Sequence, residues 1–278
     1  MEQGVPARRA CQAMDVATST LYYEPAQNKN QALTKRLIEV ARPGMGYRMA
    51  RAILLPEFEP LNHKRVHRLW REAKLARQKK LKRIRTGKTV SLAATRANQV
   101  WCVDFCFDAC LNGTKLKVLA VKDEYTRECL ALEAATSITG QAVRRVLERL
   151  MEQREAPGYV RSDNGPEFVC RDLTIWLANQ GSQSRFIKPG SPWQNGHAES
   201  FMSRLRAECL DAEVFCNLQD ARLKLGIYRR YYNDQRPHSA LGYVPPSQFA
   251  AQAAELRRAM PSYTQPPAMQ LATTESNL

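Results

Sequence analysis

The hydrophobic rhythm of this chain changes once, sharply, at Gln99, and that change constrains the fold more than any other feature. From there QVWCVDFCF is continuously apolar, aromatic and β-branched, the pattern of a buried strand. Asn112-Gly113 marks a hairpin turn, KLKVLAVKD predicts a second strand and ECLALEA a third. Thr139 to Glu155 then carries Val143, Val146, Leu147 and Leu150 at helical spacing. GYVRSD predicts a short fourth strand, Leu173 to Asn179 a helix, SRFIKP a fifth strand and HAESFMSRLRAECL a long helix. The order β-β-β-α-β-α-β-α describes an antiparallel meander extended by alternating helices and strands. Such an order packs as a mixed α/β sheet with helices on its faces.

Upstream the rhythm is helical. NQALTKRLIEVAR (30–42) places Leu33, Leu37, Ile38 and Ala41 together, Pro43-Gly44 stops it, and Gly46 to Leu55 reads as a second helix. Asn62 caps a third, HKRVHRLWREAKL, with Val66, Leu69, Trp70 and Ala73 on its apolar side. Three short helices with tight turns have the layout of a helix-turn-helix unit. Here the charge matters. Residues 1–96 carry 21 basic and 7 acidic side chains, whereas 97–215 carry 14 and 16, so most of the net +15 lies in the N-terminal third. Lys64 to Lys88 holds twelve basic residues and one acid, Glu72. One-sided charge of this kind points to a polyanionic partner, with Lys64, Arg65, Arg68 and Arg71 as candidate DNA contacts. A plain solvated helix is the competing reading.

The expected domains are a partial helix-turn-helix remnant at 1–28, a helix-turn-helix-like DNA-binding domain at 29–76, a basic linker at 77–97, an α/β core at 98–215, a C-terminal helix and extension at 216–250, and a disordered tail at 251–278. No apolar run is long enough to cross a bilayer, and the N-terminus lacks a secretory signal, so no membrane partner and a cytoplasmic location are expected. Eight cysteines form no CxxC pair, which leaves a zinc ribbon unsupported and predicts buried free thiols. His63 and His67 stand four apart but lack the Glu of HExxH and a third ligand. No phosphate-binding glycine loop is present, so nucleotide hydrolysis is not indicated.

Three acids stand out. Asp104 sits inside an apolar strand, where a charge is costly unless compensated. Asp163 ends a strand at the turn SDNGPEF, and Glu199 lies in the first turns of a helix, with 35 residues between the two. A strand centre, a strand end and a helix start can meet at one sheet edge. Three oxygen donors without Cys or His favour Mg²⁺ or Mn²⁺ over zinc. Each acid alone also has a structural explanation, as a turn residue, a buried ion pair or a solvated helix position.

Taken together, WCVDF, RSDNGPEF and SPWQNGHAES, with VKDEYTRECL, FIKPG, RLRAECL, YNDQRPHSALGYVPPSQF and the upstream PGMGYRMA, resemble one family. They are similar to the OrfB-type DDE transposases of the insertion-sequence-three family, with a retroviral-integrase-type core, over roughly residues 30–250. The resemblance implies a ribonuclease-H-like fold for the core. It implies Asp104, Asp163 and Glu199 as the catalytic, metal-binding triad, holding two Mg²⁺ or Mn²⁺ ions. It implies metal-dependent strand cleavage and strand transfer at element ends by in-line phosphoryl transfer, without a covalent protein–DNA intermediate. Arg206, seven residues after Glu199, would grip a phosphate or else form a surface ion pair. Lys188, Trp193, Gln194 and Asn195 complete the candidate DNA contacts, with Trp193 either stacking on a splayed end or packing its loop. His197 and His238 would contact DNA or pack, Glu167 belongs to a flanking motif, and Asp123 and Arg127 are expected in a salt bridge or turn. The implied partners are double-stranded DNA at element ends and at the target, a second copy of the chain in a synaptic complex, and possible fusion to an upstream-frame product. The implied location is the bacterial nucleoid. A non-catalytic DNA-binding regulator and a nuclease acting on structured nucleic acid are the rival readings.

Overall fold

The computed structural model describes residues 6–23, 30–76, 94–186 and 196–259. Two short helices, α1 (Ala7–Ala13) and α2 (Thr18–Leu21), come first, with Cys11 buried and Met14, Leu21, Tyr22 and Tyr23 exposed. Three helices follow, α3 (Gln31–Val40), α4 (Tyr47–Leu54) and α5 (His63–Glu72). The Asn62 side chain accepts the Lys64 backbone N–H at 2.8 Å, the N-cap that starts α5. Leu33, Leu37, Leu54, Val66, Leu69 and Trp70 form a small core of their own. Ile38, expected on that apolar face, is 55% exposed, because Leu33 and Leu37 already fill the narrow stripe that three short helices can cover.

The sheet that follows has five described strands: β1 (Val100–Ala109), β2 (Lys115–Asp123), β3 (Cys129–Ala135), β4 (Tyr159–Ser162) and β5 (Gln183–Phe186). Their order is β3-β2-β1-β4-β5, with the β3–β2 and β2–β1 pairs antiparallel and the β1–β4 and β4–β5 pairs parallel. Helices α6 (Gly140–Gln153), α7 (Pro166–Val169) and α8 (Arg171–Asn179) cover one face. Helices α9 (Gly196–Leu205) and α10 (Leu218–Asp234) cover the other. The period-2 alternation of β1 sorts its side chains accordingly. Trp101 and Val103 face α6 and α8, while Cys106, Val118 and Ala120 face Phe201, Leu205 and Leu225. The four-residue α7 was not foreseen. Pro166 opens it with a pre-set φ, and Phe168 stacks on Phe105 with centroids 4.8 Å apart. Six of the eight cysteines are buried and all eight are free thiols.

Two departures from expectation concern the C-terminal part. The long helix does not end in one geometry, because α9 passes into a π-helical turn, Arg206–Leu210. The segment expected to be a disordered tail, 251–278, begins inside a helix, α11 (Pro246–Ala259). Pro at the first position and the alanines of FAAQAAELRRA favour helix locally. Phe249 then anchors it on Tyr125 at 5.6 Å between centroids. Residues 260–278 and nearly all of the expected basic linker lie outside the described residues.

The π-helical turn matters for how the two units join. Glu208, on that turn, is held by Arg236 through Nε at 2.7 Å and Nη2 at 2.6 Å, and both side chains are 6% exposed. Gly44, in the turn between α3 and α4, lies against this pair. A Cβ there would stand 2.5 Å from the Glu208 Cγ, and its φ is +78°, a conformation only glycine adopts cheaply. Arg42 lies over the Tyr231 ring at 5.1 Å. The RPGMGY segment is therefore the elbow by which the helical unit docks on α10 and on the segment after it.

Candidate active site

Strand register brings the first two acids together. β1 and β4 run parallel and pair as far as Cys102 opposite Arg161, so Asp104, two residues further along β1, and Asp163, just past the end of β4, lie on neighbouring strands about 5 Å apart. Asp104 lies on the sheet face covered by α9, the helix whose first turn carries Glu199. The Phe105 N–H donates to Asp104 Oδ1 at 2.8 Å, and Gly165 N–H donates to Asp163 Oδ1 at 3.1 Å. A side chain at Gly165 would crowd that oxygen at 3.0 Å, so the turn after β4 is built to the size of the Asp163 carboxylate.

Electrostatics single out Asp104. Burial pushes its carboxyl up to about 6, the Phe105 N–H opposes this, and the negative charges of Asp163 and Glu199 raise it further. Burial is the main cause, and the two other acids are near enough to add to it. Among the described residues no three Asp, Glu, His or Cys side chains converge on a single point, so the three acids form an open set rather than a closed cage. The donor set, all carboxylate oxygen, fits a hard divalent cation.

Neighbouring motif residues have structural partners. Glu167 is bound by Lys117, whose Nζ also lies 4.1 Å above the Phe105 ring. Asp123 is buried and accepts the backbone N–H groups of Asn98, Tyr125 and Thr126, a turn role rather than a salt bridge. His197 Nδ1 meets the Arg127 guanidinium, and burial, followed by that cation, pushes the ring down to about 4. His238 is buried, edge-on to Tyr232 at 4.7 Å.

The expected DNA contacts divide. Lys64, Arg68 and Arg71 are exposed along one side of α5 and, with Tyr47, His63 and His67, line a groove of about 610 Å³. Arg65 sits apart from that groove, its Nε donating to Asn30 Oδ1 at 2.8 Å. Arg206 is exposed, donates from Nη2 to the Phe107 carbonyl at 3.0 Å and lies 3.8 Å from Asp211. Lys188, Trp193, Gln194 and Asn195 lie outside the described residues. The sequence reading did not single out Lys122 or the Glu208–Arg236 pair. A signal for Lys122 was present: like Asp104, it is a charge at an inward position of an apolar strand.

A five-stranded mixed sheet of order 3-2-1-4-5 with helices on both faces is a ribonuclease-H-like fold. Two family models described as integrase core domain match residues 94–192 and 180–246. The "Insertion element IS407 uncharacterized 31.7 kDa protein" of Burkholderia multivorans is 39% identical over 252 residues, covering 89% of this chain and 91% of that protein. "Transposase InsD for insertion element IS2D" of Escherichia coli K12 is 29% identical over 229 residues, 76% of this chain and 75% of that one. Among solved structures, a chain of the simian T-cell lymphotropic virus intasome superposes with a TM-score of 0.54 at 12% identity, over 78% of this chain and 74% of that chain; this likeness speaks to the fold alone. The chain belongs to the insertion-element transposases, DDE polynucleotidyl transferases with an integrase-like core. No helix among the described residues is long and apolar enough to cross a membrane.

Proposed function

We propose that Asp104, Asp163 and Glu199 are the acids with which this transposase performs strand cleavage and strand transfer at the ends of its element. The observation that supports the assignment is that Asp104, on the strand beside the one that Asp163 follows, lies within electrostatic reach of both Asp163 and Glu199. Asp104, whose carboxyl is raised by burial and then by the other two acids, would be the central ligand. Mg²⁺ or Mn²⁺, in a pair, would supply when bound the positive charge that activates the attacking hydroxyl and steadies the leaving oxygen. Asp163 is held through Oδ1 by the turn amide of Gly165. Glu199 is carried on a helix pinned by Ala198, Phe201 and Leu205 in the core, so the backbone beneath it is rigid.

The groove along α5, with Lys64, Arg68 and Arg71, would hold the phosphates of the element end. Lys188, Trp193, Gln194 and Asn195 would meet the strand near the acids, and Arg206 would leave the Phe107 carbonyl to reach it. Joining two ends calls for a homo-oligomer acting on end and target DNA, on the bacterial nucleoid. The deciding experiment compares wild type with Glu199→Gln on labelled duplexes from the DNA flanking the gene, with Mg²⁺ or Mn²⁺. Metal-dependent products from the wild type alone support the triad, and equal product from both would refute it.

A further inference from the structure

A cavity of about 540 Å³ lies where the helical unit docks on the core. Its walls come from four places. Tyr47 and Arg48 belong to α4, Lys122 and Arg127 to the end of β2 and the turn after it, and Ser200 and Arg204 to α9. Segment 236–243 closes it with His238 and Tyr243. Among the described residues no carboxylate lines it. Of the acids on the adjoining segments, Glu208 is bound by Arg236 at 2.6 Å, and Glu124 is bound by Arg161 at 2.6 Å while also lying within electrostatic reach of Arg127 and Lys122.

Lys122 is the telling residue. It is 3% exposed, lines the cavity, and has neither a hydrogen bond nor an ion pair among the described residues. Its Nζ lies 5.7 Å from the Phe201 ring centroid, a weak partner for a buried ammonium. Burial first, and then the Arg127 and Arg204 cations, push it down to about 8, so it still carries its charge at neutral pH. The Arg127 Nε is buried without a hydrogen bond as well. Buried cations are normally paired. Here the buried Lys122, the half-buried Arg127 and Arg204 and the exposed Arg48 gather around a space large enough for a ligand, with the hydroxyls of Ser200, Ser239 and Tyr243 beside them.

This space is separate from the acidic site. On α9, His197, Ser200 and Arg204 follow one another at i, i+3 and i+7 and share a face, whereas Glu199 points about 130° away around the helix. The core stripe of Phe201 and Leu205 runs between them.

We propose that this cavity binds a phosphate group, with Lys122, Arg127 and Arg204 as its charge partners and Arg48 closing it from the helical unit. The phosphate is either a free anion or the terminal phosphate of a nucleic-acid strand; the chemistry recognised is the same. Because Arg48 and Tyr47 come from one unit and Lys122 from the other, occupancy would hold the two units in their docked arrangement.

The test uses the full chain, with Lys122→Met and Arg204→Gln as variants. Lys122→Met replaces a buried charge by an apolar chain of similar length, and Arg204 is only partly buried, so both should fold. Inorganic phosphate is compared with chloride at matched ionic strength by thermal unfolding, and 5′-phosphorylated with 5′-hydroxyl duplexes by fluorescence anisotropy. The expected result is phosphate-specific binding by the wild type that weakens at least about tenfold in each variant. A gain from inorganic phosphate alone identifies a free anion, and a gain from the 5′-phosphate identifies a strand end. No phosphate-specific effect in either assay overturns the proposal, as does an effect that survives undiminished in either variant.

Discussion

The two flanks of α9 carry opposite and equally incomplete charge. On one, Glu199 lies within electrostatic reach of Asp104, as does Asp163, and burial followed by these two charges raises Asp104 to about 6. On the other, Arg204 joins Lys122, Arg127 and Arg48 with no lining carboxylate, and Lys122 falls to about 8. One turn further along, Glu208 and Arg236 supply both signs and close on each other with two short hydrogen bonds. The contrast separates a structural ion pair from a ligand site. Where the fold needs only stability, the charges are matched internally. Where a ligand is to bind, one sign is left out and the protein bears the cost until the ligand arrives.

The most forceful way to break this comparison is at the acids. Glu199→Gln should lower strand cleavage and joining by at least about 10³-fold while leaving DNA binding near wild type, read from labelled-duplex products beside a binding titration. If the variant remains active, the acidic flank is not the reacting one.

The matched pair should behave in the opposite sense. Arg236→Met leaves the Glu208 carboxylate buried and alone, and should cost about 3–5 kcal/mol in denaturant unfolding. Adding Glu208→Leu to it should recover most of that loss. A double variant as unstable as the single one would mean that the pair has a role beyond neutralising itself.

The uncompensated groups should respond to pH in mirror image. Asp104 has a raised pKa, so its penalty is absent below the ordinary 3.8 and complete above about 6. Asp104→Asn should therefore stabilise the metal-free protein above pH 6, on the order of 1–3 kcal/mol, with no gain below pH 4 and a smaller one when Mg²⁺ is added. Lys122 has a lowered pKa, so its penalty is complete below about 8 and absent above 10.5. Lys122→Met should stabilise the phosphate-free protein at pH 7 by a similar amount and lose that advantage as pH rises through this window. Unfolding midpoints across pH would reveal whether both flanks are penalised.

The smallest effect is expected at the docking elbow. Gly44→Ala forces a side chain into a positive φ and against Glu208, which Arg236 prevents from moving aside, and should cost about 1–2 kcal/mol. A larger loss would show that docking of the helical unit contributes much of the stability of the core.

Much of this architecture was legible from local pattern. The switch from helical spacing to an apolar run at Gln99 placed β1, and the alternation and turn residues after it placed β2 to β5 within a few residues. The cap at Asn62 announced α5 because a short polar side chain reaches its own helix's N–H groups without help from distant residues. Departures arose where distant contacts decide. Ile38 is exposed because the stripe opposite is already filled, and α11 is anchored by Phe249 on Tyr125, more than a hundred residues away in the chain. Asp104 was conspicuous as a charge inside an apolar strand. Lys122 had the same mark but was passed over, since a basic residue near a strand end reads locally as solvated.

By itself, then, the sequence determined the elements, the order of strands and helices, and the three acids, all of which depend on periodicity and on residue types at particular spacings. The tertiary structure alone decided which charges meet. Glu208 faces Arg236 because a π-helical turn rotates it there, and Gly44 rests on that pair because no side chain intervenes. Lys122 is left without a partner because the cavity into which it opens is assembled from segments at residues 46–49, 122–127, 197–204 and 236–243. Such a cavity exists only once those segments have packed, since its walls are brought together by contacts far apart in sequence and not by any local preference of the chain.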